Sequence, residues 1–292
     1  MIDDLTKYRK TKREAFEFSA LIPSWNNLDY LKLCIESIRQ NSHFDIQIIV
    51  IINEGKDGTS EWLDNQSDID FIHSKSNIGI CFGLNIARSL IKGEYVIYLN
   101  DDMYVLPNWD LELYKEIEII GHKKFMLSST MIEPFETRNS CVVVQDFGTD
   151  ISNFQKEKLL KKYPNLVRND WSGGTWPPNV VSIELWDLVG GLSIEFSPGM
   201  YSDPDFSMKL WQAGIRIFKG KGTSLVYHFG SKSTKRVRKN KGRKQFLMKW
   251  GITPRTFMKE YLRIGQPWKG ALSNPKLSYG TIILNKLKMM LG

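Results

Sequence analysis

Short, nearly continuous apolar runs alternate with helical segments along the first 130 residues of the chain. The runs IQIIVII (46–52) and YVIYL (95–99) contain almost only apolar residues, as do strands covered on both faces of a parallel sheet. Between two such runs, Leu28, Leu31 and Ile35 recur at helical spacing. Strands are predicted at 18–22, 47–52, 70–74, 95–99 and 125–129. The pattern predicts an α/β fold with a mainly parallel, Rossmann-like sheet and helices on both faces.

The second half of the chain is patterned less regularly. Prolines and a Gly-Gly pair interrupt residues 130–182, which predicts long loops. Helices are predicted at 183–189 and 204–213, the latter with a proline in its first turn. A basic loop is expected at 231–244, and amphipathic segments follow at 246–250 and 282–291. Ligands of open parallel sheets bind beyond the carboxyl ends of the strands, so we expect the long loops to cover an active site.

The composition excludes several classes of protein. At 292 residues and 42% hydrophobic content the chain can bury a large core. Its three cysteines are widely spaced, which favours neither a disulfide framework nor a zinc knuckle. The N-terminal segment is charged, and no run reaches the roughly eighteen apolar residues of a membrane span. We therefore expect a cytoplasmic protein, soluble or peripheral at the inner face of a membrane.

The net charge of +8 is distributed unevenly. Residues 1–215 contain 21 lysines and arginines against 31 acidic residues, whereas residues 216–292 contain 19 against 1. Such a cationic segment attracts nucleotide diphosphates, nucleic acids and anionic lipids alike. A solvated charged face is the simplest alternative, so the charge alone does not identify a partner.

Three groups of residues carry candidate chemistry. Asn100-Asp101-Asp102 directly follows the run YVIYL, and paired carboxylates at a strand end suit Mg2+ or Mn2+, although the same residues also fit an ordinary loop turn. Asp203 lies at the start of a predicted helix, where the helix-end amides keep a carboxylate ionised, as a general base or simply as a cap. His228 precedes the basic loop and fits either a metal ligand or a buried core histidine.

Taken in order, these groups resemble the inverting family 2 glycosyltransferases of the GT-A fold. The resemblance covers roughly residues 16–235 and extends to the stretches SALIPSWNNLDYLKLCIESI, DGTSEWL, SNIGICFGLNIA, GEYVIYLNDDM and VGGLSIEFSPGMYSDPDFSMKLWQAG. A rhamnosyltransferase-like subgroup is one option within the family. The resemblance implies a GT-A nucleotide-diphospho-sugar transferase fold at residues 1–235, with a donor-binding half at about 16–130, an acceptor and catalytic half at about 131–235, and a basic C-terminal extension at 236–292.

The resemblance also implies roles for individual positions. Asp203 matches the catalytic base, and the metal ligands, for Mn2+ or Mg2+, are expected at Asp102, His228 and Asp101. The implied donor-binding residues are Pro23, Ser24, Asn53, Glu54, Asp57, Asn77, Gly79, Asn85, Asn100, Asp101, Ser231 and Lys232. The implied acceptor-binding residues are Trp176, Tyr201 and Asp205, although aromatic side chains there also fit simple packing.

Departures from the family pattern bear on the substrate. Asn100 replaces the first acidic residue of the Asp-x-Asp motif, Ser202 replaces a glutamate before the base, and Asn53 replaces the usual base-contacting aspartate. The donor is therefore left open among UDP-, GDP- and dTDP-sugars. Residues 247–251 (LMKWG) lack the glutamine and arginine of the motif found in processive synthases, which favours single additions to a glycan or lipid-linked acceptor.

Two functions other than glycosyl transfer fit parts of the sequence. A nucleotidyltransferase requires a glycine-rich, basic phosphate loop after the first strand, where this chain has IPSWNNLD. A nucleic-acid-binding protein would use the cationic C-terminal quarter with its interleaved aromatic residues, but it leaves the ordered carboxylates without a role, so nucleic acid is not an expected partner. The basic segment is expected to contact the donor diphosphate or to hold the protein peripherally at an anionic membrane.

Overall fold

A single twisted sheet forms the centre of the molecule. The computed structural model describes residues 4–137, 139–230 and 240–291. Within these residues the sheet has eleven strands in the order β1-β4-β3-β2-β5-β10-β7-β11-β6, with β8 beside β7 and β9 beside β11. The strands are β1 (Leu5–Tyr8), β2 (Phe16–Trp25), β3 (Gln47–Asn53), β4 (Ile69–Ser74), β5 (Gly93–Tyr98), β6 (Met103–Val105), β7 (Met126–Glu133), β8 (Val143–Val144), β9 (Trp171–Ser172), β10 (Asn179–Ser182) and β11 (Phe218–His228).

Helices connect the strands and cover both faces of the sheet. They are α1 (Leu28–Asn41), α2 (Thr59–Asp64), α3 (Gly79–Ala87), α4 (Trp109–Ile120), α5 (Lys156–Lys162), α6 (Ile183–Val189), α7 (Ser202–Gln212), α8 (Gly242–Trp250), α9 (Pro254–Thr256) and α10 (Tyr279–Leu291). A single π-helical turn, Phe257–Tyr261, continues α9. The predicted helix at 183–189 is confirmed as α6, and α7 begins two residues before its predicted start.

The parallel part of the sheet agrees with the sequence prediction. Strands β4, β3, β2 and β5 run parallel to one another, and all seven residues of β3 are buried. The five predicted strands correspond to β2, β3, β4, β5 and β7. Among the six strands that were not predicted, the short strand β10 lies antiparallel between β5 and β7 and joins them into one sheet.

Two hydrophobic cores cover the two faces. One contains Leu31 of α1 and Leu113 of α4 with inward residues of the sheet. The other contains Leu84 of α3, Leu185 of α6 and Phe206 of α7. Within β3, residues alternate between the two cores, as a strand buried on both faces requires. The predicted α/β fold with helices on both faces is therefore confirmed.

The basic C-terminal segment contributes to this second core. Phe246, Phe257, Leu262 and Leu272 are buried in it. Helix α8 begins at Gly242, inside the predicted loop at 231–244, because burial of Phe246 stabilises a helical turn there. Residues 231–239 lie outside the described residues, and the domain boundary at residue 235 stays a prediction. No helix in the described ranges is both long and apolar enough to cross a membrane.

Candidate active site

A cavity of about 510 Å3 opens at the carboxyl ends of β2, β3 and β5. This is the edge at which the parallel sheet was expected to bind its ligands, and the volume is typical of small-molecule sites. Twelve of the predicted site residues line it: Pro23, Ser24, Asn53, Asn77, Gly79, Asn100, Asp101, Asp102, Trp176, Tyr201, Asp203 and His228. The predicted donor residues Ser231 and Lys232 lie outside the part of the chain that the structure describes.

Sheet topology brings Asp102 and His228 together. His228 ends β11 and pairs with Met103, the first residue of the antiparallel strand β6. The residue before Met103 is Asp102, and its Oδ1 lies 3.4 Å from Nε2 of His228. Both side chains are more than nine-tenths buried. The cavity therefore has an adjacent oxygen and nitrogen ligand at its floor.

Glu133 holds the other nitrogen of the same imidazole. Its Oε1 lies 2.8 Å from Nδ1 of His228, and its Oε2 accepts a hydrogen bond from Oγ1 of Thr137. Burial alone would lower the pKa of His228, but the carboxylates of Asp102 and Glu133 outweigh it and raise the pKa to about 10. Glu133 fixes the ring so that Nε2 faces Asp102, as carboxylates behind metal-binding histidines do.

The sequence prediction missed Glu133. The available signal was the one applied to Asp101 and Asp102, a charged residue at the carboxyl end of a buried strand. All eight residues of β7 are buried and Glu133 is the last of them. Because β7 and β11 run parallel, with Ile132 opposite Tyr227, Glu133 lies beside His228.

The residues present fit a divalent cation held by two protein ligands. Mg2+ is commonly bound by one or two carboxylates with substrate phosphates and water completing its coordination, and imidazole also binds transition metals such as Mn2+. In residues 4–137, 139–230 and 240–291, no three His, Cys, Asp or Glu side chains are grouped to hold a metal. The predicted ligands Asp101, Asp102 and His228 all line the cavity, Asp102 and His228 are in contact, and their role as metal ligands stays a prediction.

Asp203 lies in the first turn of α7 and faces the cavity. Tyr201 adopts a left-handed backbone conformation (φ 70°) at the N-cap and turns the chain into the helix. Burial raises the pKa of Asp203 to about 7, and a hydrogen bond from its own backbone amide opposes that rise. A carboxylate with a pKa near neutrality is suited to accept a proton at physiological pH.

A close backbone contact forms the wall beside α3. Gly79 has φ +75°, and a Cβ placed there would lie 2.7 Å from Cα of Pro198. The amide of Ile80 donates to the carbonyl of Pro198 at 2.8 Å. Oδ1 of Asn77 accepts from the amide of Gly79, and Oδ1 of Asn53 accepts from the amide of Ile78. Asn53 and Asn77 thus hold the loop at the cavity edge, and the close contact with Pro198 explains why position 79 is a glycine.

Two buried polar atoms in the cavity wall are open to a ligand. Neither Oγ of Ser24 nor Nε1 of Trp176 has a hydrogen-bond partner among the described residues, and both residues line the cavity. Buried hydroxyl and indole groups normally find a partner. A bound substrate would supply one for each.

Glu54 and Asp57, two predicted donor residues, lie outside the cavity lining. A hydrogen bond from the Trp25 indole holds the pKa of Glu54 below its usual value. Glu54 therefore positions Trp25, which lines the cavity, without lining the cavity itself. Asp57 Oδ2 accepts from the amide of Leu28 at 2.7 Å, and its Oδ1 accepts from the hydroxyl of Thr59. The carboxylate of Asp57 joins the starts of two helices, which corrects its predicted role as a ligand-facing residue.

Asn85 and Asp205 are also engaged away from the cavity. The side-chain amide of Asn85 donates to the carbonyl of Leu192 at 2.7 Å and accepts from its amide at 2.8 Å. The fully buried Asp205 accepts from Nε1 of Trp250 at 2.8 Å and pairs with Nζ of Lys249 at 3.0 Å. The structure thus places Asn85 in a contact between α3 and the loop after α6 and Asp205 in a contact between α7 and α8, and neither residue lines the cavity.

Comparison with known proteins shows a similarity to one family of glycosyltransferases. Residues 19–160 match the sequence model of Glycosyl transferase family 2. Glycosyltransferase GlyG of Streptococcus pneumoniae is 26% identical over 104 residues, which are 34% of this chain and 35% of GlyG. The chain thus aligns with about a third of that relative's length. The matched region extends from within β2 into α5 and includes both carboxylates of the Asp101-Asp102 pair.

Solved structures show the same fold. S. aureus TarS 1-349 in complex with UDP superposes with a TM-score of 0.50 at 13% identity, over 73% of this chain and 58% of that one. GalNAc-T7 with UDP, GalNAc and Mn2+ superposes with a TM-score of 0.55 at 16% identity, over 83% of this chain and 46% of that one. The fold is the predicted GT-A fold, and residues 19–160 are similar in sequence to Glycosyl transferase family 2.

Proposed function

We propose that this protein transfers a sugar from a nucleotide-sugar donor to an acceptor hydroxyl with inversion at the anomeric carbon. One observation carries the proposal: Asp203 and the Asp102–His228 pair face the same cavity. The similarity of residues 19–160 to Glycosyl transferase family 2 supports the reaction class. Among UDP-, GDP- and dTDP-sugars we propose a UDP-sugar, because TarS and GalNAc-T7, which share the fold, have been solved with UDP.

Asp102 and His228 are proposed to hold Mn2+ or Mg2+, with Glu133 fixing the imidazole. A cation held there would supply positive charge that stabilises the departing diphosphate. Ser24, Asn77 and the Gly79 backbone are proposed to contact the nucleoside, since they border the same cavity. The hydroxyl of Ser24 and the indole of Trp176 are the groups with hydrogen bonds to offer.

Asp203 is proposed to act as the general base. Its carboxylate accepts the proton of the acceptor hydroxyl, and the oxygen then attacks the anomeric carbon from the face opposite the nucleotide. The bond from that carbon to the diphosphate oxygen breaks, the nucleoside diphosphate leaves, and the new glycosidic bond has inverted configuration. Trp176 and Tyr201 line the cavity with Asp203 and are proposed to stack on the sugars of a glycan or lipid-linked acceptor.

The test combines donor binding and transfer. Thermal shifts with UDP-, GDP- and dTDP-sugars, each with and without Mn2+, are compared between wild type, Asp102→Asn, Asp203→Asn and the exposed control Asp64→Asn. We expect one donor class to stabilise wild type and the control only with the metal, Asp102→Asn to lose that effect, and Asp203→Asn to bind but not transfer. Metal-independent or absent donor binding by wild type would refute the proposal.

The two other functions receive less support. A nucleotidyltransferase is not favoured, because the family match covers the region where its phosphate loop would lie. Nucleic-acid binding through the basic C-terminal segment leaves the cavity residues without a role. That function predicts binding to DNA or RNA that depends steeply on salt and is unchanged in Asp102→Asn.

A further inference from the structure

Helix α10 turns its polar side toward the protein and its apolar side toward solvent. Asn285, 3% exposed, accepts through Oδ1 from the amide of Thr253 and from the hydroxyl of Thr256. Ile283, Leu287 and Met290 lie on the opposite side and are 54%, 47% and 77% exposed. Helices of soluble domains usually bury their apolar face, whereas α10 exposes its apolar face and buries Asn285.

The exposed apolar side is continuous along the helix. Residues three and four positions apart share a helix face, so Tyr279, Ile283, Leu287 and Met290 form one stripe, which Leu284 widens. All five are exposed by more than a third of their area. We call this surface, Tyr279, Ile283, Leu284, Leu287 and Met290, the α10 apolar face.

Lysines border the face and no acidic residue lies on the helix. At 3.6 residues per turn, Lys286 and Lys288 project from opposite borders of the α10 apolar face. Residues 240–291 contain eleven lysines and arginines and a single acidic residue, Glu260. An apolar face bordered by cations is the arrangement of helices that lie in the interface of an anionic membrane.

We propose that α10 docks this protein on the surface of an anionic lipid bilayer, with the α10 apolar face inserted between headgroups. This binding is independent of the proposed transfer chemistry. A second copy of the chain fits the face less well, because pairing two such helices would bring their lysines together without any acidic residue on either helix to compensate.

The same helix is connected to the candidate active site. Thr256, which bonds to Asn285, is followed directly by the π-helical turn Phe257–Tyr261. Met258 in that turn lines the cavity. A bilayer bound to α10 would therefore lie against a helix that contacts Thr256, and Thr256 is two residues from Met258 in the cavity wall.

The test is co-sedimentation of the full chain with vesicles of phosphatidylcholine and phosphatidylglycerol, compared with vesicles of phosphatidylcholine alone. The variant Ile283→Ser with Leu287→Ser removes the centre of the face. Its control is Ile119→Ser with Leu188→Ser, apolar residues on α4 and α6 that are 76% and 68% exposed. A second variant, Lys286→Glu with Lys288→Glu, reverses the bordering charges.

We expect wild type and the matched control to bind the anionic vesicles alike, with binding weakened by added salt. Each α10 variant should bind at least about tenfold more weakly, while its melting temperature and donor binding remain unchanged because the substituted side chains contact solvent. Three results would overturn the proposal: no sedimentation of wild type with anionic vesicles, undiminished binding by the serine variant, or a lipid-free dimer that the serine variant dissociates. Donor binding measured on the same samples separates failure of this proposal from failure of the proposed function.

Discussion

Nε2 of His228 lies 3.4 Å from Oδ1 of Asp102, although the two residues are 126 positions apart in the sequence. The contact depends on β6 and β11, which pair antiparallel and place Met103 opposite His228. The carboxylate that follows β5 is thereby brought into contact with a histidine of β11, the last strand in the sequence. Metal binding at this pair is therefore expected to depend on residues that only the assembled sheet brings near.

Glu133→Gln tests the positioning of His228. Without the carboxylate at 2.8 Å from Nδ1, the ring loses its fixed orientation, and the Mn2+ concentration needed for half-maximal donor binding should rise by about 10- to 100-fold. Metal titration of donor binding measures this. Glu133→Asp should recover part of the affinity, and the exposed neighbour Glu136→Gln should leave it unchanged. Equal metal dependence in Glu133→Gln and wild type would assign Glu133 a purely structural role.

The rate of transfer should follow the ionisation of Asp203. Because the base must be deprotonated and its pKa is about 7, the rate is expected to fall about tenfold for each pH unit below 7 and to level off above it. Asp203→Asn should lower the rate by about 10²- to 10⁴-fold and abolish this pH dependence in whatever activity is left. A profile of initial rates against pH, with donor binding as the control, distinguishes loss of the base from loss of the donor.

Asp203 is also expected to destabilise the protein at alkaline pH. Its folded pKa of about 7 lies above the ordinary 3.8, so its contribution to stability is full below 3.8 and is lost as the pH rises to 7. The loss is at most about 4 kcal/mol at 1.36 kcal/mol per pKa unit. Asp203→Asn should therefore melt at a higher temperature than wild type at pH 8, with a smaller difference at pH 4. Identical melting curves at pH 8 would show that the carboxylate carries no burial cost.

Gly79→Ala tests the close contact at the cavity wall. A methyl group there would meet Oγ of Ser197 at 2.5 Å and Cα of Pro198 at 2.7 Å, on a backbone at φ +75°. We expect the free energy of unfolding to fall by about 1–3 kcal/mol and the donor affinity to fall with it. Gly190→Ala is the matched control, since Gly190 has φ +69° but nothing within 4 Å. Denaturant titration of the two variants separates steric overlap from backbone strain: equal losses would exclude the overlap.

The sequence predicted the parts of the fold that depend on local pattern. The run at 46–52 is apolar because β3 is buried on both faces, and such a run needs no partner to be recognised as a strand. β10 was missed because its four residues become a strand only between β5 and β7. The apolar spacing of 282–291 predicted an amphipathic helix, but the direction in which its face points is decided by Asn285 and its partners in α9.

The candidate site was predictable to the extent that its residues follow strands. Asp102 and His228 were found by that rule, and Glu133 could have been. Asp205 resembled a ligand because it shares the first turn of α7 with Asp203, yet the two positions between them rotate the side chain by about 200° around the helix axis. It therefore meets Trp250 and Lys249 in place of the cavity.

The position of β10 has a consequence for how the enzyme can move. By pairing with β5 on one side and β7 on the other, it connects the donor-side strands to the strand that carries Glu133 through continuous backbone hydrogen bonds. The strands on either side of β10 cannot separate without breaking its hydrogen bonds to β5 and β7. Substrates are then expected to enter and leave through movements of the loops at the rim of the cavity. Substitutions in these loops can change the acceptor preference without changing the sheet.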